Sequence, residues 1–62
     1  MSPSHREDLK FARQFGAVTE EAVKFLIEEA EKCPAGSDRR ASFNICVEEI
    51  LFFAARARAA RF

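Results

Sequence analysis

Residues 14–21 read Gln14-Phe15-Gly16-Ala17-Val18-Thr19-Glu20-Glu21, QFGAVTEE, and they decide how many helices the chain has. Read locally, Gly16 ends one helix and Thr19 caps the next, with Glu20 and Glu21 in its first turn and a Val18–Val23 staple. Read as part of a longer pattern, the same residues continue a single helix. With Leu9 set at 0° and each residue advanced by about 100°, Leu9, Phe11, Ala12, Phe15, Gly16, Val18, Thr19, Ala22, Val23, Phe25, Leu26, Ile27, Ala30 and Cys33 all fall in one arc. Lys10, Arg13, Gln14, Glu20, Glu21, Lys24, Glu28, Glu31 and Lys32 occupy the other side. A break of two or three residues ordinarily disturbs such a phase. The expectation is therefore one helix over about 5–33, bent at Gly16, with a three-helix chain broken near Gly16 as the alternative.

Ser4-His5-Arg6-Glu7 fits a capping box at the first helix start. Cys33-Pro34-Ala35-Gly36-Ser37 is the strong breaker, and Ser37 or Asp38 caps a second helix over about 38–61. The fold expected is all-α, an antiparallel two-helix hairpin forming one domain over residues 1–62. The first helix carries a heptad seam of Leu9, Ala12, Gly16, Thr19, Val23, Leu26, Ala30 and Cys33. The second carries Phe43, Cys46, Ile50, Phe53, Ala57 and Ala60, widened by Val47, Leu51 and Ala54. Glu20–Lys24 and Glu28–Lys32 are spaced for favourable i,i+4 pairs.

A two-helix hairpin leaves a second apolar stripe uncovered. Phe11, Phe15, Val18 and Phe25, with Leu51 opposite, are the candidate dimer interface, closing two hairpins into a four-helix bundle. A chain of 62 residues is near the size at which a core needs such help. The aromatic residues are seven Phe with no Tyr or Trp, a choice suited to surfaces that stay dry.

The stretch Glu48 to Arg56, EEILFFAAR, holds four large apolar residues in a row. Ile50 and Phe53 go to the seam and Leu51 to its flank. Ile45 and Phe52, one heptad apart, fall on the wet side beside Glu48 and Glu49. Those four residues are the candidate partner-binding patch.

Little in the chain suggests catalysis. Ten basic residues balance ten acidic ones, so no net field draws nucleic acid or an anionic membrane. His5 is the single histidine and reads as part of a solvated first turn. No His or carboxylate pair has metal-ligand spacing, and no phosphate-binding loop is present, so neither enzyme activity nor a metal or other cofactor is expected. Cys33 and Cys46 lie too far apart along a hairpin for a disulfide and read as small packing residues. Arg56, Arg58 and Arg61 give a nucleic-acid alternative, but they point in different directions around the helix.

The function expected is that of a non-catalytic regulatory or adaptor protein that binds itself and another protein, as an inhibitor or anti-activator. An RNA- or DNA-binding hairpin and a structural assembly subunit are the alternatives. With no apolar run long enough for a membrane span or signal segment, the location expected is cytoplasmic. The Ala- and Arg-rich tail points to a GC-rich bacterial genome.

Overall fold

The computed structural model describes residues 2–60. The first helix, α1, spans Pro3–Ala12 and starts earlier than the capping box suggested. Ser2 is the cap, its hydroxyl accepting from the His5 amide at 3.3 Å, and Pro3 takes the first helical position. Proline suits that position because its fixed φ is helical and its missing N–H has no partner to lose there.

After Ala12 the chain tightens into a 3-10 turn, Arg13–Phe15, and stops at Gly16. Gly16 has φ 106° and ψ 171°, a backbone conformation that L side chains rarely adopt. Apart from Gly16 itself and its two chain neighbours, no atom lies within 4 Å of where a Cβ would stand, so glycine is needed here for its backbone freedom rather than for space. Helix α2 then spans Ala17–Lys32. An Arg13–Glu20 ion pair bridges the turn, drawing Glu20 away from the Lys24 pairing the spacing suggested.

Cys33 is extended and ends α2, and Ser37 N–H closes the following turn on the Pro34 carbonyl at 3.1 Å. Ser37 caps α3 by accepting from the Arg40 amide at 3.2 Å, and α3 spans Asp38–Ala59. Arg40 Nη1 also donates to the Cys33 carbonyl at 3.2 Å, tying the turn to the helix it leads into.

The chain is thus an all-α, three-helix monomer, and the expected two-helix hairpin of about 5–33 and 38–61 is corrected. From the start of α1 to the end of α3 the helices run up, down and up. His5 on α1 meets Glu31 near the end of α2, and Arg58 near the end of α3 meets Gln14 beside the Gly16 turn. The molecule measures 41 × 18 × 17 Å along its principal axes.

The four-helix dimer is corrected for the same reason. A second copy would cover the α2–α3 pair, and α1 folds back to provide that cover within one chain. Ala12, Val23, Ile27, Val47 and Leu51 form the core, with Leu9, Leu26 and Ile50 packed around it. All three helices contribute.

The seam expected on α3 was also misplaced. Val47 and Leu51 are buried, whereas Cys46, Phe53 and Ala57 are exposed. With α1 on one flank and α2 on the other, the covered arc of α3 is centred on Val47 and Leu51 and flanked by Asn44 and Ile50.

Candidate functional site

Helix α3 has no glycine or proline between Asp38 and Ala59, so its side chains keep regular angular spacing. Val47 and Leu51 face the core. Ile45, Glu48, Glu49 and Phe52 follow the i, i+3, i+4, i+7 pattern, centred roughly 130° away from that core face. Together with Phe53 they line a shallow surface concavity of about 390 Å³. Ile45 is 55% exposed, Phe52 60% and Phe53 59%. The rings of Phe52 and Phe53 meet edge to face, with centroids 5.5 Å apart, which holds one wall of the groove. The residues singled out as a partner-binding patch therefore lie side by side, joined by Phe53, which had been assigned to the interior.

The residues expected to form a dimer interface do not lie together as one stripe. Leu51 is 7% exposed and belongs to the core. Phe11 and Phe15 precede the Gly16 turn and stack edge to face at 5.2 Å. They border a second concavity of about 310 Å³ with Gln14, Ala55, Arg58 and Ala59. Val18 and Phe25 follow the turn and are exposed on α2, Val18 at 85%. The reversal at Gly16 separates the two pairs.

The arginine-rich end is similarly divided. Arg58 lies over the Phe15 ring, 5.7 Å from its centroid, and its Nη1 donates to Gln14 Oε1 at 3.4 Å. A guanidinium so placed gains from the ring quadrupole and helps hold α3 to the Gly16 turn. Arg56 is exposed on the groove side, one turn beyond Phe52. Arg61 lies outside the described residues.

Sequence reasoning missed His5. Far from lying in a solvated turn, it is 5% exposed between the other two helices. Nε2 lies 3.0 Å from Asn44 Oδ1 on α3, and Nδ1 lies 3.5 Å from Glu31 Oε2 on α2. One imidazole therefore joins three helices at the end of the bundle opposite the Gly16 turn. The available signal was the spacing of His5, Leu9 and Ala12, which puts all three on one face of a helix begun at Pro3.

Two carboxyls nearby have shifted proton affinities of opposite sign. At Glu31 desolvation favours the neutral acid, but the His5 hydrogen bond and charge and the Ser2 amide outweigh it, so its pKa falls below the ordinary 4.5. At Asp8 on α1, desolvation raises the pKa above the ordinary 3.8, the charges of Glu48 and Glu7 raise it further, and His5 opposes them. Glu48 of the groove and Asp8 of α1 are thus close enough to feel each other's charge.

Both thiols are free. Cys33 is half-buried, its Sγ–H donating to the Glu29 carbonyl at 3.4 Å, while Cys46 is exposed and does not serve as the packing residue expected. Among the described residues no His, Cys, Asp or Glu group has the arrangement of a metal site. No described helix is long and apolar enough to cross a membrane. No family model, curated protein or solved structure matches this chain. Neither the fold nor these comparisons support the bacterial origin drawn from the tail.

Proposed function

We propose that this protein is a non-catalytic adaptor or regulator that binds another protein through the outer face of α3, acting as an inhibitor or anti-activator of that partner. The observation that supports this reading is the Ile45–Phe52–Phe53 surface, rimmed by Glu48 and Glu49. A monomer that closes its own core has no internal use for three large apolar side chains that stay more than half exposed. Together they offer on the order of 300 Å² of apolar area, worth about 7 kcal/mol gross at about 25 cal/mol per Å². Association costs take up much of that figure, so a useful affinity needs polar contacts from the rim as well. The two free thiols fit a reducing, cytoplasmic setting.

The test is affinity capture from the native host with the wild-type chain and Phe52→Glu, read by mass spectrometry and nucleic-acid analysis. A protein retained by wild type and lost with Phe52→Glu supports the reading. Capture that is unchanged by Phe52→Glu but lost with Arg56→Ala/Arg58→Ala, with nucleic acid in the eluate, overturns it.

A further inference from the structure

We infer that the α3 groove accepts a partner α-helix, one that inserts a large aliphatic side chain between Ile45, Glu48, Glu49 and Phe52 and flanks it with Lys or Arg. This inference rests on the protein-binding reading above and adds the shape and charge of the partner.

The shape follows from the spacing. Four residues at i, i+3, i+4 and i+7 on a straight helix surround a hollow of the kind that receives one knob from a packed helix. Here Ile45 and Phe52 form its two ends and Glu48 and Glu49 its two sides. Phe53 extends the apolar floor past the hollow, where the next turn of a crossing helix would rest. An extended peptide would seek unpaired backbone hydrogen-bonding groups, which a helix interior such as this does not offer.

The charge follows from the rim. Glu48 and Glu49 flank the hollow on both sides, and on the Glu48 side that negative charge extends toward Asp8 of α1, which feels the Glu48 carboxylate. That field already acts within the fold, because the Glu48 charge helps make Asp8 harder to ionise. The nearest cation on this face of α3, Arg56, lies one turn beyond Phe52, toward the C-terminal end. A partner with Lys or Arg beside its knob and a neutral or acidic residue one turn away matches both ends. An acidic helix would meet carboxylates on either side of its knob, a repulsion that excludes wrong partners more strongly than pairing rewards the right one.

The experiment uses three synthetic helical peptides with the same leucine ridge, flanked by Lys, Gln or Glu. Fluorescence anisotropy measures their binding to the wild-type chain, to Phe52→Glu and to Glu48→Gln/Glu49→Gln. The wild-type chain should prefer the Lys peptide to the Gln peptide by about tenfold at low salt and bind the Glu peptide weakest. Glu48→Gln/Glu49→Gln should flatten that order, and Phe52→Glu should lose all three peptides while keeping its far-UV helicity. Phe52→Ala repeats the comparison should the charged variant lose helicity. If all three peptides bind alike and Phe52→Glu loses them, the charge selection is overturned while the groove remains a protein site. If no peptide binds, the helical partner is overturned, and the capture comparison decides the broader reading separately. Sedimentation of the wild-type chain alone at twice 7.0 kDa, returning to 7.0 kDa in Phe52→Glu, would put a second copy on the groove and overturn the basic partner.

Discussion

Val47 and Leu51 on one side of α3, and Ile45 and Phe52 on the other, are apolar side chains on the same helix with opposite fates. The first pair is 1% and 7% exposed, the second 55% and 60%. Their own hydrophobicity does not separate them, since Phe52 is as apolar as Leu51. The difference is which arc of α3 the other two helices reach. Helix α2 covers one flank and α1 the other, so the covered arc is widest between them, and among the described residues no other element reaches the opposite side. An apolar helix that is wrapped on one side only has a core face and an exposed apolar face made from the same kinds of residue.

That contrast is easiest to break by truncation. Leu51→Ala should cost about 2–5 kcal/mol, because it removes methylenes from a packed core and leaves a cavity. In a domain this small that is a large part of the total stability. Phe52→Ala should change stability by no more than about 0.5 kcal/mol. Urea unfolding followed by far-UV circular dichroism measures both, and equal losses would show that the two faces are not distinct.

Gly16 offers a sharper test because the sign of its effect is diagnostic. The two faces differ only if α1 folds back onto α3, and α1 folds back only if Gly16 keeps its positive φ. Gly16→Ala should destabilise by about 1–3 kcal/mol, through backbone strain alone, because a Cβ there meets nothing beyond its own chain neighbours. In an uninterrupted helix the same substitution would stabilise by up to about 1 kcal/mol. A raised unfolding midpoint would restore the single long helix and remove the cover from Leu51.

The His5, Asn44 and Glu31 side chains form a latch that holds α1 against the other two helices, and it has a pH signature. The Glu31 pKa is lowered in the fold, so its contribution to stability is present above about pH 4.5, the ordinary value, and is lost as pH falls through the folded value. Asp8 has the opposite sign: its pKa is raised, so ionising it costs stability as pH rises through its folded value. Glu31→Gln should therefore flatten the acid limb of the stability curve, while Asp8→Asn should raise stability at neutral pH. Acid unfolding monitored by circular dichroism reads both, and an acid limb unchanged in Glu31→Gln would remove Glu31 from the latch. The smallest effect expected is on the exposed face itself. Phe52→Glu should leave the unfolding midpoint within about 0.5 kcal/mol of wild type, so that any binding it loses is a surface effect.

Much of the local structure was legible before any coordinates. The Pro34–Gly36 turn, the Ser37 cap and the position of α3 all follow from residues whose φ preferences and side-chain oxygens act within a few positions of themselves. So do Ile45, Glu48, Glu49 and Phe52 as one group, because a regular helix carries their spacing directly into space.

The Gly16 turn was misread for an equally physical reason. Taking Leu9 as 0°, buried His5, Ala12, Val23 and Ala30 lie near about 300–320° on both sides of the break. Phase reports azimuth around an axis and is blind to the direction of that axis. A chain that reverses can keep its phase, so an unbroken pattern did not establish an unbroken helix. His5 was missed because a polar residue near a chain end reads as solvated until its partners are known, and Asn44 lies 39 positions away.

By itself the sequence determined that the chain is helical, where α3 begins, and which residues share a face of it. Those properties depend on backbone preferences and angular spacing within one or two turns. Only the tertiary structure decided that there are three helices, that His5 is interior, that Leu51 belongs to the core, and that Phe52 and Phe53 stay outside. Each of those depends on where α1 comes to rest, and that position is set by contacts between residues far apart in the chain.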